Sequence, residues 1–130
     1  MESFDRTIVH FEIPAEDVQK LKSFYEKLFG WKFTHTDTVG MEYWLIQTVP
    51  TDEEGMLLRP GVNGGMYKKE NELQKPTNWI SVPNLDESLK RLKELGGKII
   101  MEKMEVPGVG WTAAGLDPEG NQVSMLQPKM

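Results

Sequence analysis

The sequence predicts an α+β fold: two tandem βαβββ modules forming a curved mixed sheet around a concave cleft, with the helices on the outside. Three observations point to it. A strand-like alternation followed by a helix-like period occurs twice, each time with a proline after the strand and a glycine after the helix. Pro14 matches Pro83 and Gly30 matches Gly97 with a small slip, a repeat of about 68 residues that is too long for a solenoid and suits a duplicated module. The 130 residues, 38% of them apolar, suffice to bury a core in one domain, residues 1–130, with modules of about 5–70 and 75–130.

In Thr7–Ile13, Val9, Phe11 and Ile13 face one side and Ile8, His10 and Glu12 the other, a strand that Pro14 ends. From Ala15 to Phe29 the period becomes helical, with Val18, Leu21, Phe24, Tyr25 and Leu28 as its apolar stripe and Gly30 as its stop. Strands are expected at Trp31–His35 and Glu42–Val49, separated by Gly40, and at Val62–Lys68 after the turn residues Asp52–Gly55. Within the last of these, Gly64-Gly65 signals a bulge or a close backbone approach. The second half repeats the order. Asn78–Val82 reads as a strand stopped by Pro83, and Asn84 with Glu87 three residues on forms a capping box. Leu85, Leu89, Leu92 and Leu95 then make one helical stripe ended by Gly96-Gly97. Strands follow at Lys98–Met104, Gly110–Leu116 and Asn121–Gln127, joined by the turn sequences Pro107–Gly110 and Asp117–Asn121.

Composition narrows the function. The absence of cysteine excludes a disulfide framework, a thiolate metal site and a cysteine nucleophile, and agrees with a cytoplasmic location. Met1–Arg6 lacks the basic-then-apolar pattern of a signal peptide, and no apolar run approaches the ~18 residues of a membrane span. A net charge of −5 argues against nucleic acid as a partner, and Lys68-Lys69 is followed at once by Glu70 and Glu72. There is no phosphate-binding glycine loop and no nucleophile elbow, and Ser124 has no histidine near it in sequence to suggest a hydrolase triad.

The run His10-Phe11-Glu12-Ile13-Pro14, followed by Phe24-Tyr25-Glu26-Lys27-Leu28-Phe29-Gly30-Trp31, resembles the first module of the vicinal oxygen chelate superfamily. That group holds glyoxalase I, bleomycin-resistance proteins, extradiol dioxygenases and methylmalonyl-CoA epimerase. Leu95-Gly96-Gly97 and Asp117-Pro118-Glu119-Gly120-Asn121 resemble its second module. Phe29-Gly30-Trp31, Gly64-Gly65 and Pro107-Gly108-Val109-Gly110-Trp111 look most like a glyoxalase-like branch related to lactoylglutathione lyase. The resemblance implies a homodimer. In the metal-dependent relatives it also implies a divalent ion held by the first and last strands of each module. Those positions fall here on His10, on Gly64 or Gly65, on Thr77 and on Ser124, so His10 is the one ligand kept. A metal site needs at least three N or O donors, and a third beside His10 and Glu12 would have to come from His35 or Glu42. No metal and no other cofactor is therefore expected.

His10 and Glu12 share a strand face and form a candidate catalytic pair for acid/base work, against the plainer reading of a relic histidine bonded to a neighbour. Trp44, Trp79 and Trp111 lie on expected strands and could wall a ligand pocket, although any one of them is core more often than pocket. Thr77 shares a face with Trp79, Gln122 with Ser124, and Met66 lies on the facing strand of the first module. Trp44, Met66, Thr77, Trp79, Trp111, Gln122 and Ser124 are thus the expected ligand-binding set. His35, at a strand end, reads as a surface residue. The leading expectation is a protein that binds a small organic molecule in the cleft without a catalytic metal. The alternative is a lyase, isomerase or dioxygenase-type enzyme using an unconventional metal site or metal-free chemistry on His10 and Glu12. A third reading is an interaction module whose cleft is filled by its own tryptophans.

Overall fold

The computed structural model describes residues 6–37 and 42–129. The turn expected at Gly40 and the residues Met1–Asp5, read above for a signal pattern, lie outside them. The chain forms two compact units, one of His10–Pro76 and one of Thr77–Met130 together with the start of the chain up to Val9. Each carries one helix on a four-stranded mixed sheet, so the architecture is the α+β fold of two βαβββ modules.

The first unit consists of β1 (Ile8–Ala15, shared at its start with the second unit), α1 (Val18–Phe29), β2 (Lys32–Thr36), β3 (Tyr43–Gln47) and β4 (Gly64–Lys68). Its strands run in the order β2-β3-β4-β1, with β1 and β4 parallel and the other pairs antiparallel. Pro14 does not end β1, as expected from sequence, but pairs with Tyr67; the strand stops one residue later at Ala15. The helix accordingly starts at Val18, where the Asp17 side chain accepts from the Lys20 N–H at 3.1 Å. Gly30, at φ 75°, closes it by donating its N–H to the Glu26 carbonyl at 2.9 Å. Under α1, Ala15, Trp44, Ile46 and Met66 form a buried cluster with Phe11, Ile13, Val18 and Leu21 packed around it. The rest of the helical stripe is not core: Phe24 and Leu28, like the neighbouring Phe29, are each more than half exposed, with Tyr25 and Trp31 stacked beside them.

The second unit consists of β5 (Thr77–Ser81), α2 (Leu85–Glu94), β6 (Lys98–Val106), β7 (Gly110–Leu116) and β8 (Gln122–Pro128). Their order is β5-β8-β7-β6, with β5 and β8 parallel. The start of the chain joins them, the Ser81 N–H donating to the Thr7 carbonyl at 2.9 Å. Asn84 caps α2 by accepting from the Glu87 N–H at 3.0 Å. Val82, Leu85, Leu89, Ala113 and Met125 are the buried core beneath the helix. Leu95, expected in the stripe, sits at the helix end and is 64% exposed. No described helix is long and apolar enough to cross a membrane.

Candidate functional site

Alternation along β1 sends Phe11 and Ile13 toward α1 and His10 and Glu12 to the other face of the sheet. There a third side chain, absent from the sequence-based expectations, joins them. The Tyr43 hydroxyl of β3 donates to Glu12 Oε2 at 2.8 Å and lies 2.8 Å from His10 Nε2. With its single proton committed to the carboxylate, the phenol accepts from His10, which fixes the imidazole as the Nε2–H tautomer with Nδ1 as an acceptor. Burial holds the imidazole neutral, lowering its pKa from 6.5 to about 4. Burial first, then the charge of Glu12, pushes the Tyr43 phenol far above its ordinary range. Tyr67 is raised by the same two causes in the same order.

Gly65 makes this arrangement possible. It pairs with Glu12 on one side and with Leu45 on the other, so the Tyr43 ring must cross above it to reach β1. A Cβ at position 65 would fall on the Tyr43 hydroxyl, and one at 64 would run into the Phe11 carbonyl. The register is continuous through both glycines, so they serve close approach and not a bulge. The missing side chain is the sequence signal for Tyr43: a strand glycine leaves room for a ring from a neighbouring strand.

In the second unit Thr77, Trp79, Gln122 and Ser124 share the face turned away from α2. Trp79 pairs with Ser124 across the parallel strands. The fully buried Ser124 hydroxyl accepts from Gln122 Nε2 at 3.0 Å and lies 3.1 Å from the Thr77 hydroxyl. These three satisfy one another, whereas the Trp79 indole N–H is buried without an acceptor among the described residues. Leaving such a donor unpaired costs roughly 1–3 kcal/mol.

Three expected pocket residues are corrected. Trp44 and Met66, 8% and 0% exposed, belong to the cluster beneath α1. Trp111 packs against the cluster beneath α2, with Lys103 Nζ 5.9 Å from its ring centre. All three lie on the helix-bearing faces, where large apolar surface is best buried. His35 and Glu42 pair with each other at 3.7 Å, and His35 also meets the edge of Trp44.

The donor set does not fit a divalent metal. His10 Nε2 and Glu12 are engaged by Tyr43, and the room over Gly65, where the resemblance would seek a further ligand, holds the tyrosine hydroxyl. Among the described residues no three His, Asp or Glu side chains converge to hold an ion.

The fold is shared with solved structures of low identity. A methylmalonyl-CoA epimerase from Mycobacterium tuberculosis superposes with a TM-score of 0.67 at 15% identity, covering 100% of this chain and 94% of that one. A hypothetical protein from Bacillus halodurans gives 0.66 at 14% identity, covering 96% of each. A variant of Streptomyces coelicolor methylmalonyl-CoA epimerase, in complex with 2-nitronate-propionyl-CoA, gives 0.64 at 12% identity, covering 98% of this chain and 100% of that one. No curated protein matches the chain. Residues 7–125 match the family description, and with the two modules in place the chain belongs to the glyoxalase/bleomycin resistance protein/dioxygenase superfamily.

Proposed function

We propose that this protein binds a small organic molecule against the sheet faces opposite its helices, without a catalytic metal. The observation that carries the reading is the His10–Tyr43–Glu12 chain. Its groups hold one another in a single protonation pattern at neutral pH, with an imidazole too weakly basic to take a proton and a phenol too weakly acidic to release one. Such groups recognise a ligand by fixed donors and acceptors; His10 Nδ1 would accept from a ligand N–H or O–H. The unpaired indole N–H of Trp79 supports the same reading, because a ligand oxygen would relieve its cost.

A second reading is an isomerase-type enzyme, favoured by the epimerases that share the fold and by the unbroken path for a proton from imidazole through phenol to carboxylate. The expected homodimer belongs to the proposal and is checked by light scattering.

Thermal unfolding is measured with a panel of organic compounds and with Ni²⁺, Zn²⁺, Mn²⁺ and Fe²⁺, on the native chain and on Tyr43→Phe and His10→Ala. A compound at a hundred times its dissociation constant stabilises by about 2.7 kcal/mol. The expected result is a rise with an organic compound that Tyr43→Phe diminishes, and no turnover of that compound. A rise with a divalent ion that His10→Ala abolishes would overturn the metal-free reading, and turnover would replace binding by the isomerase reading.

A further inference from the structure

Along β8 the side chains alternate: Gln122 and Ser124 face away from α2, while Val123 and Met125 pack on its side of the sheet. On that helix side, separated by the sheet from the groups used above, lies a groove of about 450 Å³. Its apolar lining includes Leu92, Leu95, Val123 and Met125, and Arg6 and Arg91 are among its charged members. This volume lies within the range of small-molecule sites, roughly 300–1,000 Å³, and its make-up is that of an apolar trough with a few polar groups at the margin.

The charges there are not equivalent. Asp117 also borders the groove, but its carboxylate accepts from the backbone N–H groups of Glu119 and Asn121 and from the Asn121 amide. Those bonds hold its pKa below the ordinary range and turn its charge into its own loop. Glu87 stands one turn before Arg91 on the same face of α2, but the contact of the guanidinium is with Glu94. Arg91 stands in the last turn beside Leu92 and Leu95, and among the described residues its guanidinium makes one long contact, to Glu94 at 3.5 Å. A guanidinium carries five N–H donors, so most of those on Arg91 remain for a planar acid group. Leu95, 64% exposed at the end of the trough, is the surface an apolar body would cover.

We propose that this groove is a second binding site, for a small amphipathic anion: an aromatic or aliphatic carboxylate or sulfonate. Its apolar body lies on Leu92, Leu95, Val123 and Met125, and its acid group meets Arg91, with Arg6 lining the same trough. The inference is independent of the function proposed above, because it uses the other side of the sheet.

The probe is 1-anilinonaphthalene-8-sulfonate, titrated by fluorescence and mapped by amide shifts in ¹H–¹⁵N spectra. The neutral analogue N-phenyl-1-naphthylamine is run in parallel. Arg91→Ala removes the guanidinium at an exposed position, Ser88→Trp fills the trough from α2, and Tyr43→Phe serves as a control on the first unit. We expect saturable one-to-one binding with shifts at Leu92, Leu95 and Val123. Arg91→Ala should weaken it about fivefold, the order of a partly exposed charge-assisted hydrogen bond. Ser88→Trp should abolish it, Tyr43→Phe should leave it unchanged, and the neutral analogue should bind less tightly. Absence of saturable binding overturns the proposal. So does binding that survives Ser88→Trp, shifts that fall elsewhere, or equal affinity for the neutral analogue.

Discussion

In both units one end of the strand order is a parallel pair, β1 with β4 and β5 with β8, and the facing residues differ in an instructive way. In the first unit Glu12 faces Gly65, and a tyrosine from the next strand fills the space the glycine leaves. In the second Trp79 faces Ser124; the large ring comes from the parallel partner and the serine hydroxyl closes a neutral network with Thr77 and Gln122. One plan thus yields two polar faces, one built from groups that titrate and one from groups that do not. Gly65 on β4 admits the tyrosine that links the titrating groups of β1, where β8 carries Ser124.

The largest break in that comparison is expected from Gly65→Ala. The added methyl meets the Tyr43 hydroxyl, so the ring must leave and its bonds to His10 and Glu12 go with it. Overpacking and lost hydrogen bonds together should cost roughly 3 kcal/mol in urea unfolding. A neutral outcome would show that the glycine does not set the position of the tyrosine.

Acid should separate the units next. His10 takes a proton at about pH 4 in the folded chain and near 6.5 in the unfolded one. Between these values the unfolded state binds more protons, so stability falls as pH drops from 6.5 toward 4 and levels off below. The full shift corresponds to about 3 kcal/mol, and partial solvent access reduces the expected loss to about 2 kcal/mol. His10→Gln should flatten the profile across that window; an unchanged slope would place the sensitivity elsewhere.

The smallest effect belongs to the neutral face. Ser124→Ala removes the acceptor for Gln122 and the partner of Thr77, which should cost about 1 kcal/mol with no dependence on pH from 4 to 7. A pH-dependent loss would mean that the two faces are not chemically distinct.

How much of this is legible in the sequence follows from what alternation can and cannot fix. Phe11 and Ile13 on either side of Glu12 define the phase of β1 unambiguously, so alternation puts His10 and Glu12 on the correct face. Thr77, Trp79, Gln122 and Ser124 likewise group together, with Ile80, Val123 and Met125 marking the other side. β3 begins Tyr43-Trp44, two aromatic residues in succession that are both buried, and only the structure shows that Trp44 joins the cluster under α1 while Tyr43 reaches the polar side chains of β1. β4 opens with two glycines and β7 is mostly small residues, so neither reveals its phase, and sequence alone puts Met66 and Trp111 on the wrong side. The exposure of Leu95 follows from its position at the end of α2 and not from its periodicity.

The hydrogen bond from Ser81 to Thr7 has a consequence for the nascent chain. At synthesis rates of about 5–20 residues per second, Thr7 emerges on the order of ten seconds before its partner strand exists. Ile8 and Val9, more than two-fifths exposed even when folded, meanwhile offer an open strand edge to any neighbouring chain. A ribosome stalled at Pro76 would hold every residue of the first unit and still leave the opening of β1 without the strand that completes it. The opening of β1 is made well before its partner and is paired only after the rest of the first unit exists.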